Sequence, residues 1–349
     1  MQLRPSDSSI KKLRLIASSW LAIAGAGTGF ACDLCAIYRA GSAKGESHQG
    51  FLVSIAQQFT SAHTTQFESR EVAPPNREYV ETAITHLVAG YNPSSRFGIS
   101  LNLPITHIQY RRSDLQYSLT APPALMHEQG VESGLGDLSL VARYTVFEHR
   151  TMSYGVIVNA LIGVKTPTGD SDRIESELAQ TRIYNQLIPA GVPHDPLGHS
   201  ITSVHQHALA TGTGSIDAIA GLTTSLNWER WFLNSQFQYY ARTEGVDGFR
   251  MGDLLMVSGG PGAFLLVSPR RTLSLQLNGS YECMQRDEIL GQPSDRTGSR
   301  AWFIGPLATF TWRNQFSFNA GVDMPLQVAN NGYQIIPDFR IHGGVSFSF

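Results

Sequence analysis

Long stretches with an apolar residue at every second position are the feature that most constrains this fold. In residues 216–228 the even positions are apolar apart from Thr224, whereas the odd positions include Asp217, Ser225 and Asn227. Strict alternation of this kind predicts a β-strand with one apolar and one polar face. These stretches run about 10–14 residues, the length of strands that cross a bilayer (about 9–11 residues) rather than of strands in soluble proteins (about 5–6).

Twelve stretches of this kind are predicted as strands: near 50–62, 81–91, 96–108, 135–147, 152–165, 205–227, 230–242, 249–267, 272–284, 300–312, 315–326 and 337–349. Very short links are expected at Asn92–Ser95, Glu148–Arg150, Trp228–Glu229, Pro269–Arg271 and Arg313–Asn314. The other links, which alternate with these, are mostly long: 63–80, 109–134, 166–204, 243–248, 285–299 and 327–336. This alternation predicts an all-β, antiparallel transmembrane β-barrel of about twelve strands, with short periplasmic turns and long extracellular loops, in the bacterial outer membrane.

Composition supports a membrane barrel and disfavours other classes. Charged residues make up 15% of the chain, against about 25% in typical soluble proteins. The net charge of −2 gives no reason to expect a nucleic acid as partner. No stretch after residue 35 approaches the roughly 18 apolar residues of a membrane-spanning helix.

The first residues have the layout of a secretory signal. Lys11, Lys12 and Arg14 precede an apolar run, and small residues follow it. We therefore expect residues 1–31 to be a signal peptide, residues 32–49 to be a periplasmic N-terminal segment, and residues 50–349 to form the barrel. The segment 32–49 is expected to plug or line the periplasmic opening.

The stretch HGGVSFSF at 342–349 continues the alternation to Phe349. A final strand with an aromatic residue at the membrane interface fits a closed barrel, because aromatic residues are enriched at that level. A terminal aromatic also resembles the signal read by the outer-membrane assembly machinery. The expected partners are therefore outer-membrane lipid, the assembly machinery acting through Phe349, and a small-molecule solute.

Four motifs resemble a known family. They are GLGDLSLVARY at 134–144, IGVKTPTGD at 162–170, GTGSID at 212–217 and GPLATFTW at 305–312. In order and spacing they are similar to the outer-membrane proteins called meta-pathway phenol-degradation-like transporters, over roughly residues 50–349. The resemblance implies a barrel of twelve or a similar number of strands and a role in uptake of small, often aromatic, solutes.

Alternation also predicts which side chains face the barrel interior. Nine polar or charged residues are expected there: Asp137, Arg143, Lys165, Asp217, Asn234, Gln236, Glu282, Asp323 and Arg340. Both signs of charge occur, which leaves two interpretations open. The charges form a channel lining that selects solutes, or they are ion pairs that fill a narrow interior.

The pair Cys32 and Cys35 is a Cys-x-x-Cys motif just after the expected cleavage site. Three interpretations remain open: a disulfide or structural plug, a metal site, and lipidation of Cys32. No histidine follows Cys35, so covalent haem attachment through Cys-x-x-Cys-His is not expected.

Four histidines, His194, His199, His205 and His207, lie in and just after the longest loop. If residues 205–207 are part of a strand, His205 and His207 share one face, and this spacing suits a copper, zinc or nickel ion. The alternative is that these residues are ordinary polar residues of an extracellular loop.

The sequence therefore favours a channel or transporter for passive uptake of small solutes, aromatic or hydrophobic ones among them. Selectivity is expected from the inward-facing charges and from the loop 166–204 folding over or into the mouth. No catalytic residue or cofactor is expected. Two alternatives are a metal-binding outer-membrane protein and a structural or docking barrel for a periplasmic complex.

Overall fold

The chain folds into one closed antiparallel β-barrel in this computed structural model, which describes residues 49–73, 75–189 and 191–349. The barrel strands are β1 (Gly50–Ala62), β2 (Tyr79–Asn92), β3 (Phe97–Gln116), β4a (Ala124–Leu135) with β4b (Leu138–Arg150), β5 (Tyr154–Thr166), β6 (Asp217–Trp228), β7 (Trp231–Ala241), β8 (Leu254–Val267), β9 (Arg271–Met284), β10 (Ser299–Trp312), β11 (Phe316–Asn330) and β12 (Phe339–Ser348). Counting β4a and β4b as one strand, this is a twelve-stranded barrel in which each strand pairs with its neighbours along the chain. The predicted fold class is confirmed.

Pairing of β1 with β12 closes the barrel. Leu52 lies opposite Ser348, and the register continues to Ser61 opposite Phe339. At the end of the barrel with the short turns, Phe51 N–H donates to the carbonyl oxygen of Phe349 at 2.7 Å. Phe349 N–H in turn donates to the carbonyl oxygen of Phe51 at 3.0 Å. Closure leaves no unpaired sheet edge facing lipid, where such an edge would be costly.

The fourth strand is interrupted at Gly136 and Asp137. The strand β3 pairs with β4b through Phe97–Asn102 and with β4a through Ile105–Gln116. One hydrogen bond, from Gly136 N–H to the Pro104 carbonyl at 2.8 Å, bridges the break. The break acts as a β-bulge, which changes the direction of a side chain from the one it would have in a regular strand. Here it directs Asp137 into the interior, where Asp137 is buried.

The outer surface of the barrel is apolar and carries an aromatic rim at the end with the short turns. Large apolar side chains are exposed along every barrel strand, Ile55, Leu87 and Leu277 among them, as expected for a surface that contacts lipid. Six aromatic rings lie in sequential contact across five neighbouring strands: Tyr91, Phe51, Phe349, Phe347, Phe316 and Trp312. The chain is an outer-membrane barrel, and its aromatic rim lies at the membrane interface on the side of the short turns.

Shorter elements lie on the side of the long loops. They are the strands Thr64–Phe67, Arg70–Val72, Phe249–Arg250, Glu288–Ile289, Gln292–Pro293 and Tyr333–Ile336, the helix α1 (Asp172–Leu187), and 3₁₀ turns at Pro75–Arg77, Gln206–Leu209 and Val246–Gly248. Within the described residues, no helix has both the length and the apolar character needed to cross a membrane.

Several predicted boundaries were wrong, mostly where a strand was expected to continue into a loop. The sixth strand was predicted from residue 205 but begins at Asp217, because residues 206–209 form a 3₁₀ turn. The eighth was predicted from residue 249, but Phe249–Arg250 pairs instead with Glu288–Ile289. The turn predicted at Glu148–Arg150 lies at residues 151–153 instead.

The predicted loop 109–134 was also wrong, since β3 and β4a extend through most of it as a paired hairpin.

Candidate functional site

The barrel interior contains an apolar cluster contributed by seven strands. Its buried members are Val88, Val141, Leu161, Ile219, Tyr240, Leu254, Met256 and Met284. All alternate along their strands with residues that face outward. Met251, in the loop before β8, packs against this cluster and against a second apolar cluster under the extracellular cap. Apolar surface therefore continues from the cap into the interior.

Nearer the short turns, the inward-facing residues are mostly hydroxyls and amides. The buried members of this polar lining include Ser54, Ser225, Ser274, Thr309, Ser317, Asn319 and Ser346. Uncharged polar groups can hydrogen-bond water or a solute without the cost of desolvating a charge. The interior thus contains an apolar cluster and, nearer the short turns, a mostly uncharged polar lining.

The structure places all nine sequence-predicted interior residues on the inward side. Arg143 and Asn234 are half-buried, and the other seven are buried. Glu282 of β9 and Arg340 of β12 form a bidentate ion pair with distances of 2.5 and 3.0 Å. The Arg340 guanidinium carbon also lies 4.0 Å from the centre of the Phe303 ring. The sequence pattern located these side chains but not the pairs they make.

Two further charged residues of the set are also engaged. Asp323 accepts a hydrogen bond from Asn278 at 3.4 Å and lies 3.5 Å from His342 Nδ1. Arg143 donates to Asn159 at 3.3 Å. Most interior charge is therefore compensated within the wall.

The densest arrangement is an anchor cluster of Asp137, Lys165, Thr213 and Asp217. The Lys165 ammonium lies 2.6 Å from Asp137 Oδ2, 2.9 Å from Asp217 Oδ2 and 2.7 Å from Thr213 Oγ1. The Asp137 carboxylate also accepts hydrogen bonds from the backbone N–H groups of Gly169 and Thr213, each at 3.0 Å. One buried cation thus holds two carboxylates together, with both ends of the intervening loop bound to one of them.

Three of the four sequence motifs meet at this anchor cluster. The motif at 134–144 supplies Asp137, the motif at 162–170 supplies Lys165, and the motif at 212–217 supplies Asp217. The chain also crosses itself here, because a β-carbon on Gly169 would lie 2.6 Å from the Gly212 α-carbon. Glycine is required at a backbone approach this close.

Residues 167–216, the capping segment, cover the extracellular mouth and dip into it. Val204 and Leu209 of this segment pack among Val80, Ile108 and Tyr110, which are inward-facing residues of β2 and β3. The underside of α1 packs on Phe249 and Ile289 through its own residues Ile174 and Leu178. The expectation that the long loop folds over or into the mouth agrees with this placement.

Helix α1 carries a carboxylate into the interior. Its buried positions are Ile174, Glu177, Leu178 and Thr181, the spacing of a single helix stripe. Glu177 accepts hydrogen bonds from the backbone N–H groups of Gln206 and His207, each at 3.1 Å. The helix is thereby fixed to the 3₁₀ turn within the same capping segment.

Four residues form a histidine junction where the capping segment meets the loop after β9: Glu177, His205, His207 and Asp287. The rings of His205 and His207 stack with centroids 5.4 Å apart. His207 Nδ1 lies 2.6 Å from Glu177 and its Nε2 lies 3.5 Å from Asp287. A single imidazole therefore lies between two buried carboxylates.

The pKa values of the two histidines are shifted in opposite directions. Burial lowers the pKa of His205 to about 3, although Glu177 opposes the shift. Burial would lower the pKa of His207 as well, but Glu177 and Asp287 outweigh it and raise that pKa above its ordinary value. Burial would raise the pKa of the Glu177 carboxyl, but the charge and hydrogen bond of His207 hold it well below the usual range. Burial raises the pKa of Asp287 despite the nearby His207.

The histidines predicted as candidate metal ligands do not come together as a set. His194 is exposed and contacts Asn185, and His199 packs against Tyr184. Only His205 and His207 are neighbours, and they do not lie on a strand. Among residues 49–73, 75–189 and 191–349, no three His, Cys, Asp or Glu side chains are arranged to hold a metal ion.

Cys32, Cys35 and the predicted signal peptide lie outside the described residues.

Sequence reasoning missed Glu78, Glu177 and Asp287. The helical spacing of apolar residues around Glu177 is a signal that could have identified it. Glu78 and Asp287 have no local signal, because their partners lie far away in the sequence: Ser203 contacts Glu78 from 125 residues away.

The fold is similar to that of a solved outer membrane channel from Pseudomonas putida F1, with a TM-score of 0.54 and 15% identity over 88% of this chain and 98% of that chain. A FadL homologue of Pseudomonas aeruginosa gives a TM-score of 0.37 and 9% identity over 93% of this chain and 100% of that chain. The translocator domain of the autotransporter NalP from Neisseria meningitidis gives 0.41 and 11% over 98% of each chain. No family model and no curated protein sequence matches the chain.

Proposed function

We propose that this barrel is a passive outer-membrane channel for uptake of small solutes that are apolar or aromatic. The observation that carries the proposal is the apolar cluster in the interior, on the face where a wide aqueous pore would have polar residues. Apolar interior surface favours solutes that lose little on leaving water. Tyr240, Met256 and Met284 supply an aromatic ring and two polarizable thioethers suited to an aromatic partner.

The interior charges support a channel for uncharged or weakly charged solutes. Lys165 and Arg340 each lie against carboxylates, so their fields are largely neutralised inside the wall. An ion crossing the apolar cluster would pass charges that are already paired within the wall, such as Glu282 with Arg340, and would pay a large desolvation cost. A neutral aromatic solute would not.

One sequence resemblance and one fold similarity support this proposal. The sequence motifs resemble the meta-pathway phenol-degradation-like transporters, for which the resemblance implies small, often aromatic, solutes. The P. putida protein of similar fold is itself described as an outer membrane channel.

The test is solute flux through purified protein in vesicles with a lipopolysaccharide outer leaflet, which slows unassisted entry of apolar solutes. Protein-free vesicles give the background, and planar-bilayer conductance is recorded in parallel. We expect uptake of a neutral monoaromatic such as toluene, low ionic conductance, and block of that conductance by small aromatic acids. In the variant Met256→Gln, a similar-sized polar group replaces an apolar one, and uptake should fall by about tenfold because the cluster loses apolar contact with the solute, worth about 1.5 kcal/mol.

The matched control is Gln276→Met, the reverse exchange in the polar lining. It should leave toluene uptake within about twofold, since it removes no apolar surface. A correctly folded protein that transports no aromatic solute would overturn the proposal, as would equal loss in the two variants.

A further inference from the structure

The capping segment is bound very differently at its two ends and at its far edge. Its ends are held by the anchor cluster. Its far edge, residues 202–207, is held by the buried carboxyl group of Glu78. This residue precedes β2 and is 1% exposed. These regions bear on how the mouth can open, because a solute entering from outside must pass the segment.

At the ends, the charged groups make close ion pairs, and only Asp217 Oδ2 of the anchor cluster accepts no hydrogen bond within the described residues. Lys165 contacts both Asp137 and Asp217, and Asp217 Oδ1 also accepts from Ser215 Oγ at 2.8 Å and from Thr243 N–H at 3.2 Å. The two ends also bind each other, since Gly212 N–H donates to the Asp170 carbonyl at 2.9 Å. Backbone freedom lies immediately beside these contacts, where Gly214 has a φ of +70°.

At the far edge, Glu78 bridges the wall and the capping segment. Its carboxylate accepts hydrogen bonds from Ser113 N–H of β3 at 2.8 Å, from Thr202 Oγ1 at 2.8 Å, and from Ser203 N–H and Oγ at 2.9 and 2.7 Å. Within the described part of the chain, Glu78 has no ion pair with a cation. This clamp therefore consists of hydrogen bonds to one buried carboxyl group, for which water can substitute when the edge opens.

Between the clamp and the ends, several buried polar atoms have no hydrogen-bond partner in the described chain. They are both ring nitrogens of His205, one terminal nitrogen of Arg112, and Oδ2 of Asp287. Each buried polar atom without a partner costs about 1–3 kcal/mol relative to its hydrated state. Opening at this edge would hydrate all of them, whereas opening at the ends would break satisfied ion pairs.

We propose that the capping segment is a hinged lid, fixed at its two ends by the anchor cluster and released at its far edge by separation of residues 202–207 from Glu78. The role of the lid as a gate rests on the proposed channel function, but its motion does not. In this arrangement the anchor residues are positioning residues, and Glu78 is the release point.

Hydrogen exchange by mass spectrometry on the full chain in nanodiscs tests the motion without any transported solute. We expect amides of residues 202–207 to exchange at least about tenfold faster than those of residues 211–217, because local opening exposes the edge first. Glu78→Gln should accelerate the edge by a further tenfold or so and leave the ends unchanged. Equal rates at edge and ends, or equal acceleration of both, would overturn the hinge.

The matched control is Glu81→Gln, which lies in β2 three residues after Glu78 but is partly exposed and paired with His63. It should change neither region. Acceleration of the edge by this control as well would mean that the effect reflects general loosening of β2, which would also overturn the assignment of Glu78.

A disulfide tests the gate. Thr65 Oγ1 and Ser203 Oγ lie 3.3 Å apart, so a Thr65→Cys, Ser203→Cys pair can bridge the edge to the short strand Thr64–Phe67 that follows β1. With Cys32, Cys35 and Cys283 replaced by serine, the oxidised pair should abolish aromatic uptake and reduction should restore it. Uptake that persists with the bridge formed overturns the gate and leaves the channel intact. Absence of uptake in every form, with edge exchange still fast, overturns the channel and leaves the hinge intact.

Discussion

The anchor cluster and the histidine junction are both buried and charged, and both contact the capping segment, yet they differ in how well their polar groups are paired. In the anchor cluster, Lys165 makes close ion pairs with Asp137 at 2.6 Å and Asp217 at 2.9 Å, although Asp217 Oδ2 accepts no hydrogen bond within the described residues. In the junction, His205 Nδ1 lies 3.7 Å from Glu177, and neither ring nitrogen has a hydrogen-bond partner in the described part of the chain. A fully satisfied buried network rigidifies a structure, whereas a partly satisfied one is a point of weakness.

The difference also concerns titration. The anchor cluster contains a lysine and two aspartates and no histidine. The junction contains two histidines whose pKa values are shifted in opposite directions. We therefore expect the stability of the junction to depend on pH.

The largest expected effect comes from removing the shared cation. Lys165→Met leaves Asp137 and Asp217 as neighbouring buried carboxylates, and breaking a buried pair in this way costs roughly 3–5 kcal/mol. We expect a lower urea midpoint for the barrel in lipid vesicles and faster hydrogen exchange at both ends of the capping segment. Adding Asp137→Asn should recover part of the loss. A wild-type midpoint in Lys165→Met would remove the distinction between the two regions.

The second effect is acid opening of the junction. The closed state binds a proton at His205 only near pH 3, whereas the hydrated ring in the open state binds one near pH 6.5. Acid therefore favours the open state progressively as the pH falls below about 6.5. The raised pKa of Asp287 acts in the opposite direction. Between pH 7 and 5 we expect about tenfold faster exchange of residues 202–207, after correction for intrinsic rates.

His205→Phe preserves a flat ring but cannot titrate. It should abolish this acid dependence while leaving residues 211–217 unchanged. An acid response that survives in His205→Phe would assign the effect to another group.

A third, smaller effect is expected on the alkaline side. The pKa of His207 is raised in the closed state, so its stabilising contribution is complete below about pH 6.5 and is lost as the pH rises through the shifted value. We expect about threefold faster exchange at residues 206–209 on going from pH 7 to 9. His207→Gln should exchange fast at both pH values. Exchange that slows with rising pH, after the same correction, would reverse the assigned sign.

The smallest effect is expected at Arg173, which joins α1 to the hairpin of β3 and β4a. Its guanidinium contacts Glu128 at 2.7 Å and also Glu132, but it is 24% exposed. Partly exposed ion pairs contribute about 0–1 kcal/mol. Arg173→Met should accelerate exchange in α1 by no more than about twofold, as expected for a partly exposed pair in the lower half of this range. A larger change would place a principal clamp of the capping segment here rather than at Glu78.

Much of the wall could be predicted from the sequence, and little of the cap could. Each wall strand repeats a local signal, since lipid on one side and the interior on the other impose alternation at every second residue. The cap is stabilised by contacts such as Glu78 with Ser203, for which no periodic signal exists. His205 and His207 illustrate the limit, because their spacing suits a strand and yet a local 3₁₀ turn forms.

The candidate site followed the same division. Alternation placed Glu282 and Arg340 on the inward face, because facing depends only on strand register. It gave no information about which charges pair, since Arg340 reaches across from β12 to β9. The three motifs were recognised separately, and only the bulge at Asp137 brings them to one point.

Because the backbone crosses itself at Gly169 and Gly212, the capping segment can be exchanged without a change in the barrel wall. The two ends of the capping segment enter and leave at nearly the same place, with a β-carbon on Gly212 only 2.5 Å from the Gly169 α-carbon. An exchange of the intervening 42 residues, 170–211, would not require β5 or β6 to move. Such an insertion can diversify under pressure from phages or antibodies while the strands that cross the membrane keep their register, so the exterior and the barrel can evolve at different rates.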